Sequence, residues 1–351
     1  MPDLKKLRGP SRLVAALLAA ASLAGCNTVV LNPAGDVAAQ SGNLVIIATL
    51  LMLIIIVPVM VLILLFAFKY RESNEPADYD PEWHHSTTLE LVIWSVPLLI
   101  IIALGSITWI YTHKLDPYRP LDRVDANRPV PADVKPLEVE VVAMDWKWLF
   151  IYPEQGIATI NELAAPVDRP IRFKLTATTT MNAFYVPDLA GMIYAMPSMQ
   201  TQLNAVINKP GVYKGMSSHY SGAGFAGMTF KFHGLADGDF NAWVQKAKTE
   251  GATLDRAEYV KLEKPSERDP VRLFGNVDST LYHAIVNRCV EAGKMCMDDM
   301  MAKDAMANIN ARTKAGKSVS LLPQDDVCTA ANATQVVAAL RVDEITPTVA
   351  Q

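Results

Sequence analysis

Residues 214–234, KGMSSHYSGAGFAGMTFKFHG, set serines, glycines, two histidines and two methionines in and between two strand-like runs. Imidazole and thioether are donors that copper prefers, but the stretch has no cysteine and no acid. Serine hydroxyls stay protonated at neutral pH and do not bridge metal ions as thiolates do. The loop is a metal site, the remains of one, or a turn, and the rest of the chain has to decide which. His84 and His85 are adjacent, while His113, His233 and His283 show no paired spacing. Cys289 and Cys296 stand seven apart in NRCVEAGKMC and Cys328 is left over. Four cysteines are too few for a disulfide-built scaffold. In an oxidising compartment Cys289 and Cys296 form a disulfide, the alternative being two free thiols. Glu90, in TTLELVIW, stands three residues after Thr87, a capping-box spacing at the start of an apolar run.

These residues need elements to position them. The 351-residue chain has room for two domains. A net charge of −4 without a long basic run excludes nucleic acid as a natural partner. Lys5, Lys6, Arg8 and Arg12 precede an apolar stretch, 13–25, too short to span a bilayer comfortably. It ends in LAGC, which resembles a bacterial lipobox. That resemblance implies a signal peptide over 1–25 and a diacylglycerol on the sulfur of Cys26, with 26–43 as an exported N-terminal segment. Residues 44–68 carry no charge and are long enough to cross the hydrocarbon core. A second span is expected over 89–112, its uncharged run ending in Trp109 and Tyr111 as an aromatic belt. Lys69 and Arg71 follow the first span directly, which places the loop 69–88 in the cytoplasm and everything after the second span in the periplasm. His84 and His85 thus lie across the membrane from the serine-rich loop.

The exported part opens with a proline-rich linker, 113–136. Residues 137–152 alternate as one strand, with Trp146, Trp148, Phe150 and Tyr152 on one face. Further short strands are predicted over 170–180, 201–208, 211–218 and 227–234, a pattern that suggests a Greek-key β-sandwich over 137–236. An α-helical extension is predicted over 237–300, with helices in DFNAWVQKAKTEG (capped by Asp239), LDRAEYVKLEK and 277–293. Residues 301–351 are Ala-, Asn- and Thr-rich, and a largely disordered tail is expected. The fold class is a membrane α hairpin followed by an all-β domain.

A lipobox, a two-span hairpin, a tryptophan-rich strand and an exported sandwich together resemble subunit II of the haem–copper respiratory oxidases. The lipobox, FNAWV and the helical extension are most similar to the cytochrome bo-type ubiquinol oxidase branch. The resemblance covers roughly residues 40–300 and implies a cupredoxin-like sandwich. In the cytochrome c oxidase branch that sandwich holds a dinuclear copper centre. Carried onto this sequence, its first histidine falls at Asn182, its two cysteines at Ser217 and Ser221, and its carbonyl donor at His219. Its second histidine falls at Phe225 and its thioether at Met228. Only the methionine remains, and Phe225 offers no lone pair, so no metal and no cofactor is expected in this chain.

The resemblance further implies a proton-pumping quinol oxidase complex of the bacterial inner membrane. Ubiquinol would be oxidised, and O2 reduced to water, in a partner subunit I that carries the haems and one copper. This chain would serve structure and assembly beside subunit I, further membrane subunits and membrane lipid. The family places a carboxylate near the cytoplasmic start of the second span, which makes Glu90 a candidate for proton entry as well as a helix cap. Two alternatives stand beside this reading: a membrane-tethered periplasmic binding lipoprotein, and a copper-bearing cytochrome c oxidase subunit II, against which the missing ligands argue.

Overall fold

Apolar side chains on every face drive the first two helices. The computed structural model describes residues 28–74 and 82–314, with side chains to residue 307. The signal peptide, Cys26, residues 75–81 of the loop and Cys328 lie outside the described residues. Helix α1 spans Asp36–Lys69 and helix α2 spans Thr87–Lys114, and the two pack against one another. At 1.5 Å per residue they measure about 51 and about 42 Å, longer than a hydrocarbon core of about 30 Å. Helix α1 therefore begins well before the apolar run at 44. Its first turns rest on protein instead of lipid: Asp36, Ala38 and Gly42 are buried. A Cβ on Gly42 would lie 2.5 Å from the Val30 carbonyl oxygen, so glycine permits that approach. The capping box at Thr87 does not form. The N-cap is Ser86, with no side-chain cap bond, and Thr87 is already the first helical residue. The third helical residue is thus Leu89, and Glu90 falls one position too late to bond back.

The expected linker contains a small hairpin, β1 (Arg123–Asp125) and β2 (Arg128–Pro129). The single strand predicted over 137–152 is two antiparallel strands, β3 (Leu137–Met144) and β4 (Lys147–Tyr152), broken at Asp145 and Trp146. The break is held from outside, since Trp146 N donates to the Ser266 carbonyl and Ser266 N to that of Asp145. Strands β5 (Ile157–Ile160), β6 (Glu162–Pro166), β7 (Ile171–Ala177), β8 (Asn182–Tyr185), β9 (Ile193–Ala195) and β10 (Thr201–Ala205) follow. Strands β11 (Gly211–Ser217), β12 (Thr229–Leu235), β13 (Ala252–Leu254) and β14 (Arg272–Val277) complete the set. One sheet runs β10-β7-β3-β4-β5-β14-β13 and the other β6-β12-β11-β8-β9. Most neighbours are antiparallel, while β3–β7, β6–β12 and β13–β14 are parallel.

The core lies between the sheets. Trp148, Phe150 and Tyr152 alternate into it, opposite Phe184, Phe230 and Phe232. Phe184 and Phe230 stack with centroids 5.4 Å apart, and Trp148 meets Phe184 edge-on at 5.5 Å. Such pairs add about 0.5–1.5 kcal/mol each beyond area burial.

The extension is not purely helical. Helices α3 (Asp237–Glu250), α4 (Arg256–Leu262) and α5 (Leu281–Val286) alternate with β13 and β14, which join the larger sheet. Asp239 lies in the first turn of α3 and the N-cap is Ala236, so Asp239 meets the helix dipole without capping. Helix α5 covers only part of the predicted 277–293. Residues through Lys294 form one unit. In the second unit, helix α6 (Met297–Lys314) replaces the start of the tail expected to be disordered.

Candidate functional site

The loop 218–228 joins β11 to β12, and strand β8 lies beside β11 with Ser217 paired to Phe184. This pairing brings Asn182, at the head of β8, next to Ser217, at the foot of β11. The Ser217 hydroxyl donates to Asn182 Oδ1 at 3.1 Å, with the His219 carbonyl oxygen 3.2 Å away. Ser217 N donates to the Met228 carbonyl at 3.1 Å. The Ser221 hydroxyl points to Met228 Sδ at 4.0 Å, a weak contact. Asn182, Ser217, Ser221 and Met228 are all buried, at 1%, 5%, 9% and 1% exposure. All six positions singled out from sequence are thus tied into one hydrogen-bonded cluster, His219 and Phe225 through their backbone carbonyls, that of Phe225 accepting from Met228 N at 3.0 Å. Phe225 is half-buried and meets Tyr220 edge-on at 5.6 Å.

Trp146 roofs the loop. Its Nε1 donates to the Ser221 carbonyl at 2.9 Å. Gly222 has φ +112°, a conformation side chains disfavour, and a Cβ on Gly224 would lie 2.5 Å from the Trp146 ring. The glycines let the loop close against the indole. Asn182 Nδ2 donates to the Thr180 carbonyl at 2.9 Å, which orients its Oδ1 toward Ser217.

Chemically the cluster is closed on itself. The donor that could deprotonate and bridge metal ions is a thiol, and here two hydroxyls stand instead. An amide and a phenyl ring replace the two imidazoles. The residues present do not fit a dinuclear copper centre, and no redox step is assigned to them. Met228 belongs to the hydrophobic core.

Glu90 lies far along the sequence from this cluster, on the first turn of α2. Its Oε2 is 3.4 Å from His85 Nε2, both side chains more than half exposed. Sequence reasoning set His84 and His85 aside because they could not reach the serine loop. Five residues of separation across a helix start was the available signal for the pair with Glu90. His233, without a partner in sequence reasoning, lies 3.9 Å from Glu162, which also accepts from Trp243 Nε1 at 2.8 Å. Cys289 and Cys296 are both disulfide-bonded. Neither His113 nor His283 approaches the cluster: His113 bonds the Trp109 carbonyl and His283 contacts Asn287.

A second feature joins the membrane helices to the sandwich. Arg123 makes a two-pronged ion pair with the buried Asp36, at 2.9 and 3.0 Å. Ala34 N and Gly35 N donate to the Asp188 carbonyl, and Asn208 N to that of Ala34. The entry to α1 is therefore stitched to the domain.

Two helices long and apolar enough to cross a membrane, followed by a sandwich of this topology, define a subunit II-type domain. Residues 152–233 match the family described as cytochrome c oxidase subunit II, periplasmic domain, and residues 248–293 match the COX aromatic rich motif. A cytochrome bo(3) ubiquinol oxidase subunit 2 from Pseudomonas putida is 47% identical over 76% of this chain and 82% of its own length. The ubiquinol oxidase subunit 2 of Acetobacter aceti is 46% identical over 77% and 85%. Among solved structures, the periplasmic domain of subunit II of cytochrome oxidase from Bradyrhizobium japonicum is 25% identical over 33% of this chain and 96% of its own, with a TM-score of 0.32. The chain belongs to the ubiquinol oxidase subunit 2 family of the haem–copper oxidases. Its two apolar helices ahead of a periplasmic-type domain fit an inner-membrane protein.

Proposed function

We propose that this chain is the non-redox subunit II of a proton-pumping ubiquinol oxidase. The observation that carries the reading is the filling of the copper-loop positions by Asn182, Ser217, Ser221 and Phe225 within an intact hydrogen-bonded frame. A soluble one-electron donor has no entry relay on such a domain. Reducing equivalents enter as ubiquinol at the partner subunit I, which holds the haems and one copper and reduces O2 to water. This chain holds its sandwich over the membrane through Asp36 and Arg123 and contacts subunit I, further membrane subunits and lipid. The chain lies two-pass in the inner membrane, its sandwich in the periplasm, with a lipid on Cys26 as a further anchor. Glu90, paired with His85 at the cytoplasmic start of α2, collects protons for the partner. A carboxylate at a water–membrane boundary is placed to collect protons from the cytoplasm.

The test is made on the purified complex, with ubiquinol and reduced cytochrome c as competing donors. Ubiquinol is expected to support O2 uptake and cytochrome c is not. Paramagnetic resonance is expected to lack a mixed-valence dinuclear copper signal. Such a signal, or brisk cytochrome c oxidation, overturns the reading, and purification without haem favours the binding-lipoprotein alternative.

A further inference from the structure

Helix α6 places methionines where methionine is unusual. Met300, Met301 and Met306 are 43%, 66% and 66% exposed, and Met297 is partly exposed. Methionine is ordinarily among the more buried residue types. Positions i, i+3, i+4 and i+7 share one helix face, which gathers Met297, Met300, Met301 and Asp304. Met306 falls on the opposite side. Met295, just before the helix, is also set apart, because Lys303 Nζ approaches its Sδ at 3.4 Å. Asp304, one turn beyond Met300 and Met301, closes the C-terminal end of this face with a carboxylate, which an apolar docking stripe would not need. The adjacent acids Asp298 and Asp299 add negative charge in the first turn of the helix.

Three thioethers and one carboxylate form a soft donor set with a negative field. Thioether sulfur favours soft monovalent copper over magnesium or calcium, which prefer oxygen. Cys296 is not counted as a ligand, since its sulfur is disulfide-bonded. We propose that Met297, Met300, Met301 and Asp304 form a surface site for a single monovalent copper ion. The site is independent of the serine loop and goes beyond the proposed function. The ion would be colourless and silent in paramagnetic resonance, so it would not imitate a dinuclear centre in the test above. No electron transfer is assigned to it.

The experiment uses the whole oxidase complex in detergent, anaerobic, with Cu(I) supplied as a complex with a chromophoric chelator. The wild type is expected to withdraw one additional Cu(I) per complex, with sulfur neighbours in X-ray absorption. A Met297→Leu/Met300→Leu/Met301→Leu variant keeps helix propensity and apolar volume while removing the sulfur. It is expected to lose that copper with quinol oxidase activity unchanged. Asp304→Asn alone is expected to weaken retention without abolishing it. Equal copper uptake by wild type and the leucine variant, or no uptake by the wild type, overturns the proposal.

Discussion

The Ser217 hydroxyl donates to Asn182 Oδ1 across 3.1 Å, joining a strand end to a strand start that sequence separates by 35 residues. In the copper-bearing branch the same two positions would supply a thiolate and an imidazole. An uncharged hydrogen bond thus ties these two positions together.

If the frame is intact, restoring the donors restores the site. The Asn182→His/Ser217→Cys/Ser221→Cys/Phe225→His variant, with the His219 carbonyl and Met228 untouched, is expected to bind two copper ions and turn purple. Absorption and paramagnetic resonance spectra check it. The variant without Phe225→His should hold copper more weakly, because one imidazole is missing. A colourless quadruple variant means the loop no longer has the required geometry.

The Asp36–Arg123 pair should matter more than a surface ion pair. Asp36 is 6% exposed, and removing one partner of a buried pair commonly costs about 3–5 kcal/mol. Arg123→Met is expected to destabilise the chain by about 3 kcal/mol, read as a lower thermal midpoint and faster proteolysis near the entry to α1. Adding Asp36→Asn should recover part of the loss, since the stranded buried charge goes with it.

Glu140 on β3 stands opposite Lys174 of β7. Burial pushes its carboxyl up to about 7, Lys174 opposing the rise and Glu138 adding to it. A carboxyl raised in the folded state binds more protons folded than unfolded. Its contribution is therefore present in full below the unfolded value near 4.5 and is lost as pH rises through about 7. Between about pH 5 and about pH 8 the wild type should lose up to about 3 kcal/mol relative to Glu140→Gln. Melting curves of the two across that range decide it, and parallel curves would remove Glu140 from the account.

Proton entry through Glu90 has its own signature. Glu90→Gln is expected to slow quinol-driven O2 reduction while subunits and haems stay assembled. His85→Ala, which removes the partner of Glu90, is expected to slow turnover by less than Glu90→Gln. Oxygen-electrode assays of the assembled complex over a pH series measure both. Unchanged turnover in both variants removes the pair from proton traffic.

The sequence alone marked two runs long and apolar enough to cross a membrane, because twenty-odd uncharged residues suit a hydrocarbon core. It also determined which chemistry the serine loop lacks, since an alcohol or a phenyl ring cannot become a thiolate or an imidazole wherever the chain puts it. Alternation over Trp148, Phe150 and Tyr152 marked the core face in advance. Tertiary structure decided the rest. The break at Asp145 and Trp146 depends on bonds to Ser266, more than a hundred residues away. Strand β13 has only three residues, and its place and that of β14 come from the sheet that receives them. Helix α1 begins at Asp36, the ion-pair partner of Arg123, eight residues before the apolar run that hydropathy reports. Asn182 and Ser217 meet because β8 pairs with β11, and strand pairing over such separations is set by the whole packed core, which no local pattern encodes.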